Sequence, residues 1–315
     1  MVYITRLGGV VAALAALVVA APVDIRDVST TVYTQLDLFA QYSAAAYCST
    51  NLDSPNTSVT CTNGLCPLLA AATTKSLAEF EASDSYGDTA GFLVVDSTNK
   101  KLVVSFRGSS SIENWIANLD FIFTDASAVC SGCQVHQGFW KAWSSVADTL
   151  TAEIASAVTA YPGYSLVFTG HSLGGALATI GATVLRNAGY SVQLVGFFMR
   201  QELVTRNVLL LTKGQYSYGA PRVGNTALAN YITSKGSGSN FRVTHLNDVV
   251  PRLPPRLLGY SHPSPEYWIT SGTGAAVTSS DIDIIQGVDS SAGNAGENIT
   301  SVLAHLWYFI SIGTC

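Results

Sequence analysis

Charged residues are scarce in this chain. Sixteen lysines and arginines and twenty-one acids make up 12% of its 315 residues, while 48% are hydrophobic. So small a basic complement, with a net charge of −5, excludes an electrostatic nucleic-acid binder and gives no pull toward anionic membranes. Low charge joined to high hydrophobic content also excludes a disordered chain. No long apolar run occurs beyond the N-terminus, so no transmembrane anchoring is expected. There are five histidines, and the one Cys-x-x-Cys motif has no second cysteine pair or histidine set beside it, so no metal and no other cofactor is expected. No internal repeat or linker divides the chain.

What the N-terminus does have is one apolar run. Arg6 precedes residues 7–19, which are too few to span a bilayer, and Val19-Ala20-Ala21 offers small residues for cleavage. Residues 1–21 therefore read as a secretory signal peptide. Residues 22–26, ending at Arg26, read as a short pro-peptide, and residues 27–315 as a single extracellular domain. Six cysteines fit an oxidising compartment and allow fifteen connectivities. Cys61 and Cys66, like Cys130 and Cys133, are near enough in sequence to close small loops, which leaves Cys48 for Cys315. A redox or zinc role for Cys130-Ser131-Gly132-Cys133 is the alternative. Asn56-Thr57-Ser58 and Asn298-Ile299-Thr300 are glycosylation acceptors.

Hydrophobic periodicity places the main elements. Residues 32–47 read as a helix with Leu36, Phe39, Ala40 and residues 43–46 on a small apolar face. Residues 91–96 and 102–106 are two β runs joined by Ser97-Thr98-Asn99-Lys100. In residues 145–161, Val146, Leu150, Ile154 and Val158 are spaced for one helix face. A strand at 165–169 leads into a helix that reaches residue 188, with Gly189 as its C-cap. Further strands are expected at 241–244, 266–270 and 283–285. Strands alternating with helices indicate an α/β fold, with a mostly parallel mixed central sheet flanked by helices.

Residues 195–215 break this rhythm. They have no clear period and fall between Ser191-Val192-Gln193-Leu194 and Tyr216-Ser217-Tyr218-Gly219, which would fuse into one strand without them. So long an insertion in mid-strand runs against loop-length expectation. A valine codon begins GT and glutamine can be coded CAG, so the segment can begin and end like an intron. We read it as a retained intron; a genuine surface insertion is the alternative, and the cDNA sequence decides between them.

The most telling stretch is Gly170-His171-Ser172-Leu173-Gly174-Gly175. A strand, a sharp turn and a helix with serine at the apex make a nucleophile elbow. The glycines permit close backbone approach, and the first N–H groups of the helix lie where an oxyanion would form. The pattern alone also fits a glycine-rich turn before a helix, so the rest of the chain must complete it. A serine nucleophile needs a base, and the base an orienting acid, in the order Ser, acid, His. Asp248, just after the strand at 241–244, suits the acid. His305, near the C-terminus, suits a late loop folding back over the sheet, and His262 is its rival. His245, His136 and His171 read as structural.

An oxyanion hole needs two donors. The backbone N–H of Leu173 is one, and Ser109, at the end of the β run 102–106, is the other. Beyond Ser109, Ile112, Trp115, Ile116 and Leu119 fall at i, i+3, i+4 and i+7 on one apolar stripe, which Phe121, Ile122 and Phe123 extend. Beside an oxyanion loop such a segment reads as a lid that covers the site when closed and lies on lipid when open. An ordinary amphipathic surface helix is the alternative.

Five motifs in this order resemble the secreted filamentous-fungal class 3 lipases. They are Phe106-Arg107-Gly108-Ser109, the elbow with Ala176-Leu177-Ala178, Tyr218-Gly219-Ala220-Pro221-Arg222-Val223-Gly224-Asn225, Asn247-Asp248-Val249-Val250-Pro251 and His305-Leu306-Trp307-Tyr308-Phe309. The likeness covers residues 27–315 apart from 195–215, which that family lacks. It implies an α/β-hydrolase fold and metal-free interfacial hydrolysis of triacylglycerols. It implies a triad of Ser172, Asp248 and His305, oxyanion residues Ser109 and Leu173, and a lid over 112–119. It also implies disulfides pairing Cys48 with Cys315, Cys61 with Cys66, and Cys130 with Cys133. The expectation is a secreted, monomeric triacylglycerol lipase whose partners are lipid esters and the oil–water interface. A feruloyl or other soluble-ester esterase on the same fold, and a non-catalytic secreted binding protein, are the alternatives.

Overall fold

A computed structural model describes residues 23–24, 28–52, 54–61, 64–82, 89–189, 214–236, 239–313 and 315. The expected signal segment, all of 22–26 except 23–24, and residues 195–213 lie outside the described residues. Nine strands among the described residues form one sheet: β1 (Val23–Asp24), β2 (Thr74–Ala82), β3 (Thr89–Asp96), β4 (Lys101–Phe106), β5 (Ser165–His171), β6 (Gln215–Tyr218), β7 (Asn240–His245), β8 (Glu266–Ile269) and β9 (Ile282–Ile285). Their spatial order is β1-β9-β8-β7-β6-β5-β4-β3-β2. Strands β4 to β8 run parallel, and antiparallel hairpins flank them on both sides. This is the mixed sheet of an α/β-hydrolase. In such a sheet side chains converge beyond the carboxyl ends of the parallel strands.

The sheet is buried on both faces, which is why its central strands read as nearly unbroken apolar runs. Alternate residues go to opposite sides. Val103 and Val167 join Leu36, Phe39 and Tyr42 of α1 (Thr30–Ala45) in one core cluster. Leu102, Val104, Leu166 and Phe168 join Trp143 and Val146 of α3 (Gln137–Ala160) and Ile180 of α4 (Leu173–Asn187) in the other. Between β4 and α3 lies the short α2 (Ile112–Asn118), and α5 (Thr226–Gly236) follows β6.

Several expectations need correcting. Helix α3 begins at Gln137, eight positions before the expected 145, because His136 caps it: the His136 Nδ1 accepts the Phe139 N–H at 3.3 Å. Val158 is 41% exposed, and Ala157 takes the inward position instead. Residues spaced by four advance 400° around a 100°-per-residue helix, so a stripe spaced this way drifts off the core. Strand β2 was not expected, because as a partly exposed edge it carries Lys75, Glu79 and Glu81 and no clean alternation. At the far end of the expected insertion, Gln215 is a sheet residue. It pairs with Phe168 and Asn240, and its Nε2 donates to Thr179 at 2.9 Å. Residues 23–24, within the expected pro-peptide, pair with β9 at the sheet edge.

All three cysteine pairs are bonded as expected. The bond between Cys48 and Cys315 joins positions 267 apart and ties the chain end to the segment after α1. Asn56 and Asn298 are both exposed, as glycan acceptors must be. Among the described residues no helix is long and apolar enough to cross a membrane, and no cluster of His, Cys, Asp or Glu is arranged to hold a metal ion.

Candidate active site

Strand β5 ends at His171 and α4 begins at Leu173, so Ser172 alone makes the turn between them. Its backbone has φ 57° and ψ −127°, a conformation that costs a non-glycine residue about 1–3 kcal/mol. The surrounding glycines make the turn physically possible. A Cβ on Gly170 would lie 2.3 Å from the Gly174 carbonyl, and one on Gly174 would lie 2.2 Å from the Phe106 oxygen. Leu173 is buried at the first position of α4, where a backbone N–H has no acceptor within the helix.

Asp248 and His305 come together from distant parts of the chain. Strand β7 stops at His245, and the chain turns through Leu246 at φ 38° to bring Asp248 under the site. The loop bearing His305 docks here through backbone bonds between Asn247 or Val249 and Ser301. Both side chains are completely buried. One carboxylate oxygen accepts the Val250 N–H at 2.9 Å, and the other accepts His305 Nδ1–H at 2.8 Å and the Tyr308 hydroxyl at 2.5 Å. Burial and the adjacent carboxylate push the Tyr308 phenol well above its ordinary range, so it stays a donor. Because a carboxylate only accepts, the Nδ1 facing it holds a proton, and of the two neutral tautomers this contact selects the one whose lone pair is on Nε2.

Two buried polar atoms then stand out. Ser172 Oγ and His305 Nε2 each lack a hydrogen-bond partner, and they do not bond each other. Both groups border the segment that follows β6. The Ser172 N–H donates to the Tyr218 carbonyl at 2.9 Å, and a Cβ on Gly219 would lie 2.8 Å from the His305 ring and 2.9 Å from the Asp248 carboxylate. Leaving a buried polar group unsatisfied costs about 1–3 kcal/mol, so such a pairing calls for an explanation. A hydroxyl donor and a ring-nitrogen acceptor both kept free around one glycine are what a nucleophile and its base present at rest, since catalytic hydrogen bonds often tighten only with substrate bound.

The other histidines are engaged elsewhere. His262 bonds the Pro251 carbonyl at 2.7 Å, and burial, reinforced by Arg242 and Arg222, holds it well below its ordinary pKa. His245 contacts the carbonyls of Ala304 and Ser271. His136 caps α3 and bonds the Asp120 carbonyl at 2.7 Å. His171 lies between Tyr47 and the His305 carbonyl.

Ser109 is half-buried three residues past the end of β4. Helix α2 starts three residues later and is one residue shorter than the apolar stripe: Leu119 lies just past its end in an extended conformation. Ile112 is buried, while Trp115, Ile116 and Leu119 are half-buried. Trp115 stacks on Phe139 with ring centres 6.3 Å apart, and Trp115 and Leu119 pack on the core cluster shared with α3. Glu113, Asn114, Ala117 and Asn118 face outward. The stripe is therefore turned inward. Several apolar side chains are exposed: Phe121 and Ile122 after α2, Leu257 (96% exposed) and Leu258 before Tyr260, and Leu303 two residues before His305. Tyr260 bonds the Ile122 carbonyl at 3.4 Å and so links two of these segments.

Three residues at the site were not singled out from sequence: Gly219, Tyr308 and Tyr47. Gly219 has φ +57°, and any side chain there would collide with the Asp248–His305 pair. We expect Gly219→Ala to lower kcat on a soluble ester by about 10- to 100-fold. The melting temperature should also fall, through a cost of about 1–3 kcal/mol. Unchanged kcat in a thermally shifted variant would mean the pair tolerates displacement.

Comparison with known proteins follows the same lines. The family model described as lipase (class 3) matches residues 103–258, and that described as the lipase 3 N-terminal region matches residues 9–77. The chain is 42% identical over 293 residues to secreted mono- and diacylglycerol lipase A of Penicillium cyclopium, covering 91% of this chain and 88% of that protein. It is 37% identical to secreted mono- and diacylglycerol lipase 1 of Fusarium solani, covering 88% of this chain and 76% of the other. The crystal structure of a mono- and diacylglycerol lipase from Aspergillus oryzae superimposes with a TM-score of 0.78 at 34% identity, covering 90% of this chain and 98% of that one.

Proposed function

The chain belongs to the class 3 lipases, a family of carboxylic ester hydrolases, and from that premise we propose that it is a secreted acylglycerol lipase using Ser172, Asp248 and His305 as its triad. The observation that carries this reading is the buried Asp248–His305 bond beside an elbow serine, with Ser172 Oγ and His305 Nε2 both left free. Ser172 attacks the ester carbonyl while His305 Nε2 takes its proton. Asp248 keeps the Nδ1–H tautomer and stabilises the imidazolium that forms. The N–H groups of Leu173 and Ser109 hold the oxyanion. His305 returns the proton to the departing alcohol, and water then clears the acyl-enzyme by the same route.

The inward stripe of α2, the exposed Phe121 and Ile122 that follow it, and the exposed Leu257 and Leu258 of the segment joined to them through Tyr260 favour a lipid surface over a soluble ester as the working environment. Opening α2 would add Trp115, Ile116 and Leu119 to that apolar rim. The relatives' names favour mono- and diacylglycerols, whereas the resemblance to the fungal class 3 lipases implies triacylglycerols. An emulsion series of mono-, di- and triacylglycerols, run beside a feruloyl ester and a short soluble ester, separates these readings. We expect partial glycerides to be cleaved fastest and the rate to rise as substrate passes its solubility limit. A rate that stays flat across that limit, or a preference for the feruloyl ester, would overturn the lipase assignment in favour of a soluble-ester esterase.

A further inference from the structure

We propose that Tyr47 and His171 form a positioning pair that holds the His305 loop and the oxyanion loop in register around Ser172. This rests on the triad reading above. Tyr47 lies between α1 and Cys48, and its hydroxyl is 2.8 Å from His171 Nδ1. His171 Nε2 is 2.8 Å from the carbonyl oxygen of His305. That oxygen can only accept, so Nε2 carries the proton, Nδ1 is the acceptor, and Tyr47 donates to it. Burial above all, and then the neighbouring His305, hold His171 well below its ordinary pKa, which keeps this tautomer neutral. The two imidazoles lie 4.4 Å apart at 34°.

The chain of bonds continues on the other side of Tyr47. The Gly108 backbone hydrogen-bonds its oxygen, and Gly108 comes so near that a Cβ there would lie 2.0 Å from that oxygen and 2.7 Å from the His171 carbonyl. Gly108 immediately precedes Ser109. One directed path therefore links Gly108, Tyr47, His171 and the His305 carbonyl, and so joins the loops after β4, α1 and β5 to the C-terminal loop. Neither Tyr47 nor His171 has a free atom aimed at the reacting centre, so both act through neighbours. A neutral His171 also suits catalysis, since a second cation against His305 would oppose formation of the imidazolium.

The test uses the full-length secreted enzyme and a short p-nitrophenyl ester below its solubility limit. We expect Tyr47→Phe to lower kcat about tenfold and His171→Phe about 100-fold, with KM within about twofold, because a slightly misplaced base and oxyanion donor slow chemistry more than binding. The double variant should be no slower than His171→Phe alone, since both changes break one path. His171→Gln, which can still donate to the His305 carbonyl, should recover much of the rate. Wild-type kcat in both Tyr47→Phe and His171→Phe, with only a lowered melting temperature, would overturn the proposal and leave the pair a packing feature. If His171→Phe does not fold, Tyr47→Phe decides by the same criterion. His305→Asn serves as the control: if it stays active, the triad reading itself fails; if it is dead while the pair variants are fast, only the positioning role fails.

Discussion

Ser172→Ala and His305→Asn should each lower kcat for ester hydrolysis by about 10⁴- to 10⁶-fold, the scale seen when one member of a serine–histidine pair is removed. Combining them should cost little more, because the two groups act as one unit. The stability effects should differ. Ser172 Oγ is buried and unpaired, so its removal relieves an unsatisfied polar group and the melting temperature should hold or rise. His305 Nδ1 donates to the buried Asp248, so losing it leaves a carboxylate short of a partner and the protein less stable. Asp248→Asn should cost about 10⁴-fold in kcat by favouring the wrong imidazole tautomer. A fluorophosphonate that labels wild type but not Ser172→Ala identifies the nucleophile directly. Near-wild-type turnover by Ser172→Ala would end the triad assignment.

Breaking the bond between Cys48 and Cys315 is expected to have the largest effect on stability. In the chain-entropy model a closed loop of this size, 267 positions, is worth about 5.6 kcal/mol, and measured losses are typically about 2–5 kcal/mol. At about 2–4 °C per kcal/mol in a domain of this size, Cys48→Ser/Cys315→Ser should melt roughly 5–15 °C lower. Activity should fall before global unfolding, because the bond anchors the tail behind His305 and sits next to Tyr47. Opening the Cys130–Cys133 loop, which spans 3 positions, should matter much less. Equal melting shifts for the two double variants would contradict this ranking, and calorimetry on both measures it.

The chain alone determined a good deal. Local patterns were enough for the elbow glycines, the two-faced strands, the two short cysteine loops and the inward stripe of α2, because each rests on contacts between near neighbours or on a period of two or 3.6 residues. Helix ends and edges were less legible. The His136 cap extends α3, and β2 is an edge strand whose polar residues hide its period. Choosing between His262 and His305 needed more than order in the sequence. His262 faces the Pro251 carbonyl while His305 faces Asp248, and only the path of the chain between them decides which ring meets the acid. The same holds for Gly219, Tyr308, Tyr47 and His171. Nothing local marks a glycine as the floor under a buried hydrogen-bonded pair, or a tyrosine as the third donor to an aspartate 60 positions away. Sequence spells out short-range geometry and burial, whereas hydrogen bonds between segments this distant exist only once the sheet has brought their ends together.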